Sequence, residues 1–163
     1  MKTTDRPLFQ DFHIEGVRHI SPIDAFTALL SGEAVIIDVR ESEEFDLGSI
    51  PLDNVISHPM SVIMKRMDFI PPNKMIIFAC PGGVRSTKVA NLFNLQRFQN
   101  VTNLDGGLTM WKTQGLHFET NISSGGCCCK PLATKKSFGC NTNEEKNNSC
   151  CETSSKEKGG CCC

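Results

Sequence analysis

The order of apolar runs and helical patterns along this 163-residue chain predicts an α/β fold, a parallel sheet with helices on both faces. Two apolar runs, residues 34–39 and 75–79, carry most of this prediction. Both are apolar at consecutive positions, which is typical of central parallel strands buried on each side. Segments with helical periodicity separate the predicted strands, as crossover connections between parallel strands require.

The first predicted elements are a short strand at residues 17–20 and the helix that follows it. Ser21 is a suitable helix cap, proline is favoured at the first helical position, and Asp24 places a carboxylate in the first turn. Apolar side chains at helical spacing predict the buried stripe of this helix: Ile23, Phe26, Leu29 and Leu30.

The strand at residues 34–39 carries Asp38 near its carboxyl end, and Arg40 follows directly. This is the edge of the sheet at which α/β proteins place functional groups. A short strand is expected at residues 54–57. An amphipathic helix is predicted next, because apolar residues fall at i, i+3, i+4 and i+7: Met60, Ile63, Met64 and Met67.

Cys80 lies at the turn between the strand at 75–79 and a helix predicted from about Val84 to Phe98. Gly82 and Gly83 can adopt positive φ, which lets consecutive backbone N–H groups point inward and bind an anion. The positive end of the following helix and the nearby Arg85 both favour a thiolate over a thiol. We therefore interpret Cys80 as a nucleophile. A small buried cysteine at an ordinary turn is the alternative.

The helix after Cys80 is predicted to bury one apolar face: Val89, Leu92, Phe93 and Leu95. A last strand is predicted at residues 100–104, followed by the turn Gly106-Gly107 and by Trp111. These elements complete the alternation of strands and helices.

The segment from Cys80 to Ser86 resembles the active-site loop of the rhodanese sulfurtransferases, Cys-x-x-Gly-x-Arg-Ser. Two further segments, 38–51 and 105–111, resemble the family at the expected separations. The chain departs from the family pattern at Ser49, where histidine is usual, and in a slightly longer stretch up to His58. The resemblance implies a rhodanese-like domain at residues 17–118, between an N-terminal arm at 1–16 and a Cys-rich tail at 119–163.

The resemblance also implies a function, the transfer of sulfane sulfur through a persulfide on Cys80 to a thiol or protein acceptor. The donor would be a small sulfur compound such as thiosulfate or polysulfide, and no cofactor would be required. Arg85 would bind the donor or brace the loop, while Asp38 and Arg40 would support the site. The rest of the loop would bind substrate: Pro81, Gly82, Gly83, Val84 and Ser86.

Phosphatases and arsenate reductases of the same fold are an alternative, because they also use a cysteine-to-arginine anion loop. They typically have His-Cys with five residues before the arginine, whereas this chain has Ala79 before the cysteine and four residues before Arg85. The smaller ring is better suited to a sulfur atom than to a tetrahedral oxyanion.

The tail has little apolar periodicity, so its composition predicts disorder unless it binds something. It holds nine of the ten cysteines: Cys127, Cys128, Cys129, Cys140, Cys150, Cys151, Cys161, Cys162 and Cys163. Adjacent cysteines favour a soft metal such as Zn(II) or Cu(I), or a metalloid, although their spacing is not that of a zinc finger. Sulfur acceptance from Cys80, lipid attachment and an unspecialised tail are the alternatives.

The charge balance excludes a strongly basic protein, with 17 basic and 18 acidic residues. We therefore expect no nucleic-acid-binding surface as the main function. The sequence contains neither a run of membrane-span length nor an apolar signal segment, so the expected location is cytoplasmic.

Overall fold

The computed structural model describes residues 2–71 and 73–121. Their strands are Thr3–Thr4 (β1), Arg18–Ile20 (β2), Ala34–Asp38 (β3), Gly48–Ser49 (β4), Val55–Ser57 (β5), Met75–Ala79 (β6), Val101–Leu104 (β7) and Glu119–Thr120 (β8). Their α-helices are Pro22–Leu30 (α1), Ser42–Asp46 (α2), Val84–Leu95 (α3) and Gly107–Thr113 (α4).

The main sheet has the strand order β1-β2-β7-β6-β3-β5 within the described residues. All pairings from β2 to β5 across this sheet are parallel, and β1 runs antiparallel to β2 at the edge. Asp38 at the end of β3 is in register with Ala79 at the end of β6. The predicted α/β fold is thus confirmed, and the parallel register brings Asp38 and Cys80 to the same edge of the sheet.

The two faces of the sheet pack against different helices, which explains why β3 is apolar at consecutive positions. Ile36 belongs to a buried cluster with residues of α1 and α4, including Trp111. Val35 and Ile37 belong to the cluster on the other face, which includes Phe93 of α3. Every residue of β3 is buried, so this strand forms the centre of a three-layer core.

Helix α1 begins as predicted, and half of its predicted stripe is confirmed, since Leu29 is buried and Phe26 packs against the core. The Ser21 side chain accepts a hydrogen bond from the Asp24 backbone N–H at 3.2 Å, which confirms the cap. The predicted burial of Ile23 and Leu30 is wrong, since these side chains are 58% and 65% exposed. The buried residues of the helix are Pro22, Ala25, Ala28 and Leu29. Apart from Leu29, these are small side chains, and they face the sheet. Alanines allow a helix to pack close to a sheet, and periodicity cannot detect this preference.

The amphipathic helix predicted at residues 60–67 is also wrong. This segment forms two short 3₁₀ turns, Ile63–Lys65 and Met67–Phe69. Ile63 is buried against the face that α3 covers, whereas Met60 and Met64 are exposed. Only one of the four apolar residues is fully buried, so little packing energy favours a continuous helix.

Short strands lie on both sides of the predicted domain, at residues 3–4 and 119–120. Glu119 and Thr120 form β8, which pairs antiparallel with β4, and the Asn121 N–H donates to the Leu47 carbonyl at 3.0 Å. At the other end, residues of the predicted arm form β1 on the edge of the main sheet. Of the helices in residues 2–71 and 73–121, none is long and apolar enough to cross a membrane.

Candidate active site

Cys80 lies at the bottom of the loop that joins β6 to α3, and it is 1% exposed. Its sulfur accepts a hydrogen bond from the Ser86 N–H at 3.4 Å, and the Ser86 hydroxyl lies 3.2 Å away. Gly83 is the residue before α3 and has a φ of 85°, a left-handed conformation that favours glycine. Gly82 is not among the glycines with positive φ, so one of the two predicted glycines makes the turn.

The start of α3 places hydrogen-bond donors of Ser86 at the sulfur. The first backbone N–H groups of a helix have no acceptor within the helix. In α3 the Ser86 N–H donates to sulfur, and the first intrahelical bond is from Thr87 N–H to the Gly83 carbonyl at 3.0 Å. The helix dipole adds partial positive charge at the same place. This arrangement stabilises negative charge on the Cys80 sulfur.

Helix α4 holds the loop from the other side. The Leu108 N–H donates to the Cys80 carbonyl and the Thr109 N–H to the Pro81 carbonyl, both at 2.9 Å. Gly107 makes this approach possible, with a φ of 62°. The first turn of α4 therefore fixes the two peptide planes that follow Cys80.

Substituting Gly107 with alanine is expected to displace this loop. A Cβ at this position would lie 2.3 Å from the Cys80 carbonyl oxygen and 2.7 Å from the Gly83 nitrogen. The positive φ should cost about 1–2 kcal/mol of unfolding free energy, and the clash should add roughly 1–3 kcal/mol. Denaturant unfolding measures the sum.

Gly115→Ala is the matched control for this prediction. Gly115 also has a positive φ, 72°, but a Cβ there would meet nothing within 4 Å. It shares the backbone strain without the clash. Equal losses of unfolding free energy in the two variants would contradict the role assigned to Gly107.

The Arg85 guanidinium forms an ion pair with Glu44 of α2. The two guanidinium nitrogens donate to the two Glu44 carboxylate oxygens at 2.6 and 2.7 Å. The hydrogen bonds from Arg85 lower the pKa of Glu44 from its ordinary value of 4.5 to about 2. Both side chains are more than a third exposed. The cation predicted to bind a donor is therefore largely neutralised by a partner that the sequence did not indicate.

Asp38 and Arg40 form a buried ion pair behind Glu44. Arg40 Nη2 lies 2.6 Å from Asp38 Oδ2, and the Arg40 guanidinium also donates to the carbonyls of Glu44 and Gly48 at 2.9 and 2.8 Å. Arg40 thus ties the end of β3 to α2 and β4. Because α2 carries Glu44, the Arg40 contacts also fix the element that pairs with Arg85.

The N-terminal arm contacts the back of the same loop. Its backbone is anchored by Asp105, whose carboxylate accepts from the Leu8 N–H at 2.6 Å and from the Phe9 N–H at 3.1 Å. The Gln10 side chain lies against Gly83 and hydrogen-bonds residues of the site. The arm showed no periodicity, so the sequence offered no signal for these contacts.

A buried polar cluster continues from the arm into the sheet. His19 Nδ1 lies 3.1 Å from Asn103 Nδ2, and His19 Nε2 lies 3.1 Å from His13 Nδ1. Because an amide nitrogen only donates, His19 Nδ1 accepts, and its Nε2–H donates to His13. Burial lowers the pKa of His19, and this keeps the ring neutral for that arrangement.

The structure brings Cys80, Ser86, Gly83 and Arg85 together at one end of the sheet, with Asp38 and Arg40 behind them. Sequence reasoning missed Glu44, Gln10 and the contact role of Gly107. The Glu41-to-Glu44 spacing fits a capping box, which the structure contains. That signal locates a helix start but not its partner Arg85. The nine tail cysteines, at positions 127–129, 140, 150–151 and 161–163, lie outside the described residues.

Comparison with known proteins agrees with the resemblance found in the sequence. The family model described as "Rhodanese-like domain" matches residues 22–114, more than half of the chain. A "Putative sulfurtransferase YtwF" of Bacillus subtilis is 35% identical over 80 residues, which cover 49% of this chain and 75% of that protein. A crystal structure of a "Rhodanese-like Domain Protein" from Staphylococcus aureus is 31% identical with a TM-score of 0.53, covering 61% of this chain and 95% of that one.

Several relatives are much longer than the chain, which spans less than half of their length. A "tRNA uridine(34) hydroxylase" of Bacillus pumilus is 26% identical over 123 residues, which cover 65% of this chain but 38% of that protein. The chain therefore spans less than half of this relative. The matched segment, the loop at Cys80 and the parallel sheet agree with one another, and the chain belongs to the family of rhodanese-like domains.

Proposed function

We propose that the protein is a sulfurtransferase or persulfide carrier, which moves sulfane sulfur through a persulfide on Cys80 to a thiol acceptor. One observation carries this proposal: the Cys80 sulfur lies at the bottom of a loop where the Ser86 N–H and hydroxyl both face it. Donors arranged in this way stabilise an anionic sulfur without moving during the reaction. The family and its sulfurtransferase relatives support the same class of reaction.

The proposed reaction has two displacement steps. The Cys80 thiolate attacks the outer sulfur of the donor, a new S–S bond forms, and the donor's S–S bond breaks. Its electron pair leaves with sulfite or with a shortened polysulfide. An acceptor thiolate then attacks the outer sulfur of the Cys80 persulfide, and the electron pair of the broken S–S bond returns to Cys80. The two steps leave the enzyme unchanged and need no external oxidant or reductant.

The charge around the loop bears on the choice of donor. Thiosulfate is a dianion, and the cation of the loop, Arg85, is paired with the Glu44 carboxylate. The net attraction for a dianion is therefore small. A persulfide or polysulfide donor is supported at least as well as thiosulfate.

Glu44→Gln is expected to improve the use of thiosulfate by releasing the Arg85 charge. The Michaelis constant should fall roughly two- to fivefold, the equivalent of up to about 1 kcal/mol for a half-exposed charge pair. Steady-state kinetics at low ionic strength measures the change. Glu43→Gln is the matched control, because it removes the same charge from an exposed neighbour and should leave the constant within a factor of two. A fall of the same size in both variants would contradict the role of the pair.

The lowered pKa of Glu44 sets the pH range of this pair. Its stabilising contribution is complete above pH 4.5 and is lost as the pH falls from 4.5 through about 2. We therefore expect the ratio of the two Michaelis constants, wild type to Glu44→Gln, to be constant between pH 5 and pH 8. A ratio of Michaelis constants that changes between pH 5 and pH 8 would mean that a group other than Glu44 titrates and determines the effect.

The test of the proposed function is the mass of the protein after exposure to polysulfide or thiosulfate. A full-length chain with all nine tail cysteines changed to serine isolates Cys80 from competing thiols. We expect this chain to gain one sulfur atom on the peptide that contains Cys80 and to lose it on addition of a small thiol. A chain that gains no sulfur from either donor would overturn the proposal.

The structure favours sulfur transfer over the phosphatase alternative. Four residues separate Cys80 from Arg85, and the Arg85 guanidinium is engaged with Glu44 at 2.6 Å. A phosphate monoester would need that cation in the ring. The hydroxylase relative matches over a minor part of its length, so its likeness supports the shared domain and not the hydroxylation of RNA.

A second candidate function is the binding of soft metal ions by the tail, which we propose from its nine cysteines. Thiolates select Cu(I) and Zn(II). Titration of each ion into the reduced full-length chain should show stoichiometric uptake that disappears in the nine-serine chain. Equal uptake by both chains would overturn this second proposal and leave the first untouched.

A further inference from the structure

The side chain of Gln10 uses all of its hydrogen-bonding capacity at the back of the Cys80 loop. Its Nε2 donates to Thr87 Oγ1 at 3.1 Å and to the Phe12 carbonyl at 2.6 Å. Its Oε1 accepts from Asn103 Nδ2 at 3.0 Å and from the Gly106 N–H at 3.2 Å. An amide has two N–H donors and two acceptor lone pairs, so every one of them has a partner here.

These contacts reach the starts of the two helices that form the loop. Thr87 is in the first turn of α3, and its hydroxyl donates to the Gly83 carbonyl at 2.7 Å. That hydroxyl has one proton, so toward Gln10 it must act as an acceptor. Gly106 precedes α4, whose next N–H groups hold the carbonyls of Cys80 and Pro81. Gln10 therefore bridges the starts of α3 and α4.

Close packing adds to the hydrogen bonds. Gly83 is buried, and a Cβ placed on it would overlap the Gln10 amide. The left-handed turn that starts α3 thus has the Gln10 side chain directly against it. The Gln10 amide therefore limits the movement of the Gly83 peptide, and a shift of the amide would relax that limit.

From this geometry we infer that Gln10, supplied by the N-terminal arm, is a positioning residue for the Cys80 nucleophile. It acts through Thr87 and Gly106 and fixes the angle between the first turns of α3 and α4. The Ser86 N–H that faces the Cys80 sulfur belongs to the first turn of α3, and the N–H groups that hold the Cys80 and Pro81 carbonyls belong to the first turn of α4. This inference adds a residue to the site of the proposed function, but its contacts stand without that function.

The arm stays attached without Gln10, which makes the inference testable. The Asp105 carboxylate holds the backbone of Leu8 and Phe9, and β1 pairs with β2. Loss of the Gln10 side chain should therefore release the loop and leave the arm in place. Gln114→Ala is the matched control, because it removes the same side chain from the far end of α4, at the residue after its last turn.

The experiment measures two rates in the full-length nine-serine chain, carrying Gln10→Ala, Gln114→Ala or neither. The first is persulfide formation on Cys80 from polysulfide, followed by mass in a single turnover. We expect a fall of roughly 10- to 100-fold for Gln10→Ala, because displacement of a reacting group by about 1 Å has effects of this size. Gln114→Ala should stay within a factor of two.

The second rate is alkylation of Cys80 by iodoacetamide, which needs no sulfur transfer. Release of the loop should expose the buried thiol, so alkylation should become several-fold faster in Gln10→Ala while persulfide formation becomes slower. Gln10→Glu keeps the size and the acceptor atoms but loses the two donors, and it should show both changes to a smaller degree. Circular dichroism shows whether Gln10→Ala folds. If it does not, Gln10→Glu takes its place in the comparison.

The inference is overturned if Gln10→Ala has the same persulfide-formation and alkylation rates as Gln114→Ala. It is also overturned if the two variants change these rates in the same direction and to the same extent. If no chain forms a persulfide, the proposed sulfur transfer has failed, and the alkylation rates alone decide the role of Gln10. The two failures are therefore distinguishable.

Discussion

Changing Cys80 to serine is expected to abolish sulfur transfer, lowering the rate by about three orders of magnitude or more. A serine oxygen cannot hold sulfane sulfur as a persulfide, whereas the Ser86 donors around it would remain. Serine is nearly the size of cysteine, and its hydroxyl would lie beside the same donors, so the fold should persist. The measurement is the transfer of sulfur from polysulfide to a small thiol, followed as thiol persulfide, by the nine-serine chain with and without the change.

Ser86→Ala tests the hydroxyl that faces Cys80. It keeps Cys80 and the backbone N–H of residue 86 but removes the hydroxyl, which lies 3.2 Å from the sulfur and 3.1 Å from the Gly83 carbonyl. A hydrogen bond to a charged group contributes about 1.5–3 kcal/mol, so the rate should fall roughly 10- to 100-fold. Sulfur transfer by Cys80→Ser at the parent rate would show that another group is the carrier.

Changing Asp38 to asparagine is expected to have the largest effect on stability, a loss of roughly 3–5 kcal/mol of unfolding free energy. The change leaves the Arg40 guanidinium buried without its counter-charge, since the Asp38 carboxylate accepts from Arg40 Nε at 2.9 Å and from Nη2 at 2.6 Å. Its contacts with the carbonyls of Glu44 and Gly48 are neutral and cannot replace a full charge. Denaturant unfolding at pH 7 measures the loss.

Asp68→Asn is the control, because Asp68 is exposed on a 3₁₀ turn. It removes the same charge and should change the unfolding free energy by less than about 0.5 kcal/mol. Losses of similar size in the two variants would mean that net charge, and not the buried pair, determines the effect. A tolerated Asp38→Asn would also weaken the role of Arg40 in placing α2.

The sequence predicted best where local chemistry and burial act together. β3 and β6 are apolar at consecutive positions because both of their faces are covered, and the structure confirms both strands. The Ser21 cap and the start of α1 follow from contacts within three residues. The Cys80 loop could be predicted because the residue before α3 has a left-handed conformation that favours glycine, here Gly83. The start of a helix also favours an anion.

Periodicity failed where the partner surface decides the outcome. The methionine pattern at residues 60–67 has helical spacing, but the structure buries Ile63 alone among its four residues and forms 3₁₀ turns. In α1 the alanines face the sheet and Ile23 is exposed. A pattern shows which side chains are apolar, but the core has room only for those that the neighbouring layer accommodates.

Local sequence was therefore sufficient for the fold class, the central strands and the turn that carries Cys80. The partners of the site depended on tertiary structure: Glu44 lies 41 residues before Arg85, and Gln10 lies 77 residues before Thr87. Helix capping and backbone sterics act over a few residues, so they can be predicted from the local sequence. Ion pairs and amide bridges between distant segments form only after the sheet order and register bring those segments together, and no local rule specifies them.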